Sequence, residues 1–572
     1  MSVRSAPRRQ HYGIGVSPGA AVGPVLRMRP PVRPPQREPA ATDVAAAGRR
    51  VREALDSVAT TLEQRAGTAE TTAREILEAT AMMARDPGLA GAVDTHLAEG
   101  CGPATALAAA AEDYCARFVA AGGYLAERVT DLRDVCDRAI ARLLGQEEPG
   151  LPPVVGPCVL VAHDLAPAET AGLDPSVVLA IITEAGGALS HTAVLAAQLG
   201  IPAVVQVAAA TGLTDGTPVA VDGDSGLVVV DPDPAYRAEL VQRAEQRAQV
   251  LAASHGPGRT SDGAAVALMV NIGTVQDAVT AAAQDVEGVG LFRTELLFLG
   301  AATAPGLEWQ TETYTRVFEP FAGRSVVVRT LDAGADKPLS FADLGPEGNP
   351  ALGRRGLRLS ALRPDLLDTQ LAALARAARA TGADVRVMAP MVATAEEAAW
   401  FARRVRENGL PSVGVMIEVP AAALRARDVL AEVDFGSIGT NDLAQYTLAA
   451  DRELGELATL LDPWQPAVLD LIGIACAGAR TADRPIGVCG EAAGDPLLAL
   501  VLTGLGAMSL SMAPPKVSAV RYALSRHDLA TCVQMAQAAR EAASPQAARA
   551  AVARLADPAV ARLADPALVE PR

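Results

Sequence analysis

Apolar and polar positions change period several times along the chain. From His11, "HYGIGVSPGAAVGPVLRM" reads as short β-segments broken by Gly/Pro turns, and the proline-rich "RPPVRPPQREP" that follows reads as a linker. Between about residue 40 and residue 145 the apolar residues recur every three or four positions, as in "VAAAGRRVREALDSVATTLEQRA" and "RVTDLRDVCDRAIARLLGQ", the period of amphipathic helices. Short apolar runs return in "GPCVLVAHDL", "SVVLAIITE", "AVVQV" and "TPVAVDG", alternating with helical stretches. The pattern predicts one α/β domain built from residues 1–31 and 146–232, with a helical domain, 32–145, inserted into it.

A connecting helix over 233–256 leads into a different pattern. Eight short apolar runs follow: "ALMVNIG", "GVGLFRTE", "VVVRTLD", "VRVMAPM", "VGVMIEVP", "FGSIGTN", "PIGVCGE" and "AMSLSM", separated by helical stretches. Eight such alternations over 257–540 are the count and length of a (β/α)8 TIM barrel, whose strands are buried on both faces. The fold class is therefore α/β multidomain. The end of the chain, 541–572, repeats a short unit in "ARLADPAVARLADPAL" and is expected to be a frayed, low-complexity tail.

Composition narrows this picture without redrawing it. Half of the 572 residues are hydrophobic but only 3% are aromatic, so Ala, Val and Leu must do the packing. That favours helices and buried parallel strands over an aromatic-rich sandwich. A net charge of −16 argues against a nucleic-acid partner. No apolar run reaches membrane-spanning length, and the arginine-bearing start has no apolar secretory core, so neither membrane insertion nor secretion is expected. Seven cysteines lie scattered with no CxxC pair, which fits a reducing, cytoplasmic compartment and disfavours disulfide or zinc frameworks.

Barrel active sites gather at the C-terminal ends of the strands, so the last residues of each run carry the chemistry. There the sequence places Arg293 and Glu295, Arg329, Glu418, Asn441 and Asp442, and Cys489, with Arg355, Arg358 and Arg452 shortly after strands. Guanidinium forks hold phosphate and carboxylate two-pronged, and paired carboxylates hold a magnesium ion that keeps sites for water and substrate oxygens. A small phosphorylated acid suits such a mouth. Any one of these arginines alone would be an ordinary rim ion pair, and Cys489 alone a small core residue. Their joint placement is what points to a site.

One of only six histidines, His191, lies outside the barrel in "GGALSHTAVLAAQLGIPAVV". Ser190 is a good N-cap, the apolar pattern continues as a helix, and Gly200-Ile201-Pro202 ends it. A side chain in the first helical turn faces unpaired amides and the positive end of the dipole, a setting for an anion such as a phosphorylated imidazole. His11, His96, His163, His255 and His527 sit in helices or linkers without that setting and are read as structural.

Together "GGALSHTAVLAAQLGIPAVV", "GVGLFRTELLFLG", "VVVRTLDAGADKPL", "GVMIEVPAAA", "DFGSIGTNDLAQYTLAADR" and "GVCGEAAGD" resemble enzyme I of the bacterial phosphoenolpyruvate:sugar phosphotransferase system. The likeness runs from "GIGVSPGAAVGPV" to "LSMAPPKV" in that family's order. Single motifs are shared with pyruvate phosphate dikinase and phosphoenolpyruvate synthase. A dikinase, however, needs an ATP-binding domain of roughly two hundred residues, for which no stretch is free.

The resemblance implies a swivelling phosphohistidine α/β domain, an inserted helical domain that binds the carrier protein HPr, and a phosphoenolpyruvate-binding barrel. His191 would take the phosphoryl group on Nε2 and pass it to a histidine of HPr, the first step of sugar uptake. Arg293, Arg329, Asn441, Asp442 and Arg452 would hold phosphoenolpyruvate, with Arg355 assisting at the phosphate. Glu418 and Asp442 would ligate Mg2+, Cys489 would protonate the departing enolate to give pyruvate, and Thr170 would lie near the histidine. A cytoplasmic homodimer joined through the barrel is the family's expectation. Ala188-Leu189, Ala197, Gln206, Gly348 and Arg354 depart from the family's usual residues, and the changes at Leu189 and Ala197 remove polar groups near the histidine. A specialised or degenerate paralogue, acting mainly as a regulatory partner-binding protein, is the alternative reading.

Overall fold

The computed structural model describes residues 9–564, apart from 18, 36, 69–70, 122–127, 153–155, 166–172, 187–190, 224, 299–300, 302, 334–338, 343, 346 and 452–454. The chain divides into two compact units, Met1–Glu245 and Gln246–Arg572.

The first unit is built on a mixed sheet. Its strands are β1 (Arg9–Tyr12), β2 (Ile14–Ser17), β3 (Ala20–Arg27), β4 (Cys158–Ala162), β5 (Val178–Thr183), β6 (Ala203–Val205), β7 (Pro218–Asp222) and β8 (Leu227–Val230), in the spatial order β1-β8-β7-β3-β4-β5-β6-β2. β3 and β4 are parallel neighbours, so everything between them leaves the sheet and returns to the adjacent position. That excursion is the helical insert, with helices Val44–Thr68, Thr71–Ala84, Pro87–Ala98, Pro103–Ala121 and Val129–Leu144 around a core of its own. Inside that core are Val51, Leu62, Leu107 and Val135, positions that recur at helical spacing and are almost wholly buried.

The helix Pro234–Ala252 carries the chain across the division between the units. The second unit is a closed barrel of eight parallel strands, β9 (Ala267–Ile272), β10 (Gly288–Arg293), β11 (Ser325–Arg329), β12 (Asp384–Ala389), β13 (Ser412–Ile417), β14 (Phe435–Gly439), β15 (Ile486–Cys489) and β16 (Ser509–Met512). The last pairs with the first, Leu510 opposite Leu268. All eight apolar runs of the sequence are these strands.

One expectation fails. The tail read as frayed folds, through Ala564, into helices Pro545–Leu555 and Pro558–Ala564, and Val552 and Val560 join the core of the barrel unit. The first "ADPA", 556–559, is a helix start rather than a fray: Asp557 accepts from the Ala559 amide at 2.7 Å and Pro558 takes the first helical position. His527 pins the same segment. Its Nδ1 donates to the Ala523 carbonyl at 2.8 Å and its Nε2 accepts from the Asp557 amide at 2.9 Å, which fixes the ring's orientation and tautomer. His11, read as lying in a helix or linker, is instead in strand β1.

Candidate active site

Strand parity decides which barrel side chains face inward. Val326 and Val328 pack in the outer core with the helices, while Val327 belongs to a separate small cluster with Leu291, Met388, Met416, Phe435 and Cys489. These are the interior layer, and a period of two carries the same direction to the strand ends. Arg329 follows Val327, Glu418 follows Met416, Arg293 follows Leu291, and Ser437 and Gly439 follow Phe435. The alternation of the apolar runs therefore aims these side chains into the barrel mouth.

There the charges form one buried chain. Arg329 Nη2 binds Glu295 Oε1, and Nη1 pairs with Asp332 Oδ2 at 3.1 Å. Asp332 takes Arg355 from its other side, Nε to Oδ1 and Nη2 to Oδ2, both 3.1 Å. Arg355 in turn grips Asp442 two-pronged, at 2.9 and 3.2 Å. All five are buried, and Asp332 is wholly so. Glu418, also wholly buried, accepts from the Met391 amide at 2.7 Å through Oε1, while Oε2 has no hydrogen-bond partner. Burial first, and then the charges of Asp442 and Asp332, raise the Glu418 carboxyl well above its ordinary value. Among the described residues the cluster counts the four carboxylates Glu295, Asp332, Glu418 and Asp442 against the two guanidiniums Arg329 and Arg355. No group of three or more His, Cys, Asp and Glu is arranged to hold a metal among the described residues.

Two glycines make room for this. A Cβ on Gly439 would stand 2.7 Å from Glu418 Oε2, and Gly490, at φ +119°, would bring one within 2.7 Å of Thr440 Oγ1. Cys489 ends β15 with its sulfur buried; Ser437 Oγ donates to it at 3.3 Å and its thiol faces the Ile438 carbonyl at 3.5 Å. Burial raises the thiol, and the Ser437 hydroxyl opposes that.

Of the residues expected from sequence, Arg329, Arg355, Glu418, Asp442 and Cys489 lie together in this buried cluster or beside it. Arg293 and Asn441 end or follow neighbouring strands and are half-buried. Arg358 is elsewhere, donating to the Leu352 and Gly353 carbonyls. Arg452 lies outside the described residues, as do Thr170, Ala188, Leu189 and Ser190. His191 is the first residue of the helix His191–Leu199, which Gly200 ends at φ +67°; its own side chain is outside the description, like that of Ala197. Next to it Thr192 is buried, its hydroxyl 3.4 Å from Asp164 Oδ1. Gln206 holds a left-handed φ of +58°, a conformation glycine adopts most readily, and its amide donates to the Gly186 carbonyl at 3.0 Å. Arg354 clasps Glu347 at 2.6 Å in the loop before Arg355.

Reading the residues alone missed Asp332 and Ser437, and gave Glu295 no role. The signal was parity for Ser437, and for Asp332 an acid three residues beyond an inward arginine at a strand end.

A barrel with this cationic and acidic mouth, and an α/β unit whose helix opens on a histidine, defines a class: enzymes that use phosphoenolpyruvate. Three family profiles match accordingly: the PEP-binding domain of PEP-utilising enzymes over 247–529, their N-terminal domain over 12–128 and their mobile domain over 154–226. A phosphoenolpyruvate-protein phosphotransferase of Streptomyces coelicolor is 50% identical over 94% of this chain and 98% of its own length. One from Haloferax volcanii is 39% identical over 92% and 95%. A multiphosphoryl transfer protein of Xanthomonas campestris is 38% identical over 94% of this chain and 66% of its own. The chain belongs to the phosphoenolpyruvate-protein phosphotransferase family, the enzymes I, and is a phosphotransferase.

Proposed function

We propose that the enzyme moves the phosphoryl group of phosphoenolpyruvate onto His191 Nε2 and then to a histidine of the carrier protein HPr, releasing pyruvate at the head of sugar uptake. The observation that carries this reading is the buried alternation Glu295–Arg329–Asp332–Arg355–Asp442 at the ends of the barrel strands. Forks already held by carboxylates are preorganised for a phosphoryl dianion and need no reorganisation when charge develops on it.

In this reading Arg293, Arg329 and Arg452, with Asn441, hold the substrate, and Arg355 reaches the phosphoryl oxygens. Glu418 and Asp442 would hold Mg2+. The residues fit a hard cation: a buried carboxylate oxygen of Glu418 lacks a partner, the cluster carries more carboxylates than guanidiniums, and Mg2+ commonly takes only one or two protein carboxylates. Bound there, the ion supplies neutralisation of the phosphoryl and enolate charge. The P–O bond to the enol oxygen breaks as a P–N bond forms to the imidazole. The enolate then takes the Cys489 proton at its methylene carbon, the C–O bond becomes a carbonyl, and pyruvate leaves. Because His191 belongs to the α/β unit and the arginines to the barrel unit, a swivel of one against the other brings them together.

The helical insert, with its own core, is a self-contained surface on which HPr can dock. Seven free cysteines support a cytoplasmic setting, and no helix among the described residues is long and apolar enough to cross a membrane. A homodimer through the barrel would suit the groove of about 500 Å3 lined by Leu357, Ala361, Leu362 and Trp400 with Arg358, Glu396 and Glu397 around them.

The test is to mix the enzyme with phosphoenolpyruvate carrying labelled phosphorus, Mg2+ and HPr. Label should reach HPr with one pyruvate formed per phosphoryl transferred, and both should fail in His191→Ala. Label on HPr from His191→Ala enzyme would overturn the relay.

A further inference from the structure

A thiolate left in the barrel mouth would be a poorly solvated charge. Cys489 stands in the apolar interior layer with Leu291, Val327, Met388, Met416 and Phe435, and is 1% exposed. Donating its proton to carbon leaves sulfur with a full negative charge in this apolar layer, favoured by the charges of Arg329 and Arg293 and opposed by Glu418, and costly unless a hydrogen-bond donor reaches it. The described residues hydrogen-bond the sulfur in two ways: it donates to the Ile438 carbonyl at 3.5 Å and accepts from the Ser437 hydroxyl at 3.3 Å. Only the second survives loss of the proton.

The geometry is set by the strands. Ser437 on β14 is level with Gly487 on β15, and Gly439 is level with Cys489. A Cβ on Gly439 would meet Glu418 Oε2 and Met416 Cε, and one on Gly487 would meet Ser509 Oγ, so both strands stay free of side chains beside the hydroxyl–sulfur pair. Ser437 is itself buried, and the sulfur is the one hydrogen-bond partner given for its hydroxyl among the described residues.

We infer that Ser437 is a positioning residue for the acid Cys489: its hydroxyl orients the thiol toward the enolate carbon and stabilises the thiolate that proton transfer leaves. In the step, the S–H bond breaks, a C–H bond forms at the methylene carbon from the enolate electron pair, and the thiolate keeps its own pair while accepting the Ser437 O–H. Water returns the proton after pyruvate leaves. This rests on the reading of Cys489 as the acid.

The experiment is rapid-quench measurement of phosphohistidine and of pyruvate, each against pH, in the full chain with Mg2+ and phosphoenolpyruvate. In Ser437→Ala, phosphohistidine should form at the wild-type rate while pyruvate lags by about ten- to a hundredfold, the range for one hydrogen bond to a charged group. The alkaline limb of the pyruvate profile should move up by about one pH unit, since an unsupported thiolate makes a weaker acid. Ser437→Thr, which restores the hydroxyl, should return the limb to its wild-type place. Combined with Cys489→Ala, the Ser437→Ala change should add nothing. A fall of both products together, an unmoved limb, or an additive double variant would overturn the inference. If Cys489→Ala alone made pyruvate at full rate, the reading of the acid would fall instead. Should Ser437→Ala not fold, Ser437→Cys, which keeps a weaker donor of similar size, should show the same lag and limb shift at smaller amplitude, and the absence of both effects would overturn the inference.

Discussion

Glu418 sits with one carboxylate oxygen satisfied and the other orphaned, wholly buried, facing two further acids. Such a group is kept for binding at the expense of stability. Its raised pKa gives the sign. The charged form is penalised in the folded state, so stability is lost as pH rises through the raised value and is regained below the ordinary one. Glu418→Gln, measured by calorimetry in chelator, should therefore melt higher than wild type by a few degrees at pH 8 and equal it near pH 4, while losing phosphohistidine formation throughout. An equal gain at both pH values would mean that the charge was not the burden. Gly439→Ala addresses the same oxygen sterically. A Cβ standing 2.7 Å from Oε2 and 2.8 Å from Met416 Cε must push the carboxylate aside. Mn2+ binding followed by electron paramagnetic resonance should weaken by roughly tenfold or more, as expected for a displaced metal ligand or its support.

Among the elements, the barrel strands were the most legible in the sequence, because strands buried on both faces write themselves as unbroken apolar runs. Their places at the C-terminal ends of those runs also announced Arg329, Glu418 and Cys489. The pairing of the charges was not legible. Asp332 and Arg355 are 23 residues apart, and Asp442 lies 87 beyond Arg355, so only closure of the barrel brings them together. The C-terminal helices were misread for another reason. Low complexity drew attention away from Asp557-Pro558, an N-cap followed by a first-turn proline. A chain ending at Ala543 would expose the surface against which Val552 and Val560 pack and would unlatch His527. It should lower the melting temperature of the barrel unit by several degrees while phosphohistidine still forms at room temperature, because Val552 and Val560 pack in the outer core and not in the interior layer below the mouth. An unchanged melting curve would mean that these helices are dispensable passengers.

At the scale of the whole molecule, the histidine and the charged mouth belong to different units, and the sequence between them spends a single helix, Pro234–Ala252, on the connection. A division of labour follows. In the proposed relay the barrel would activate the donor, the α/β unit would carry the group, and the helical insert would offer it onward. The order of these parts could be read from the sequence because each has its own period, whereas no local pattern encodes the swivel that the proposed relay requires. Everything turns on His191 holding the phosphoryl group between donor and acceptor. The direct measurement is rapid-quench peptide mass spectrometry of the wild-type enzyme turning over phosphoenolpyruvate with Mg2+ and HPr. A phosphoryl group on the His191 peptide that appears before phospho-HPr, and decays at the rate HPr gains it, is the expected result. Steady transfer to HPr with His191 unmodified at every time point would contradict it.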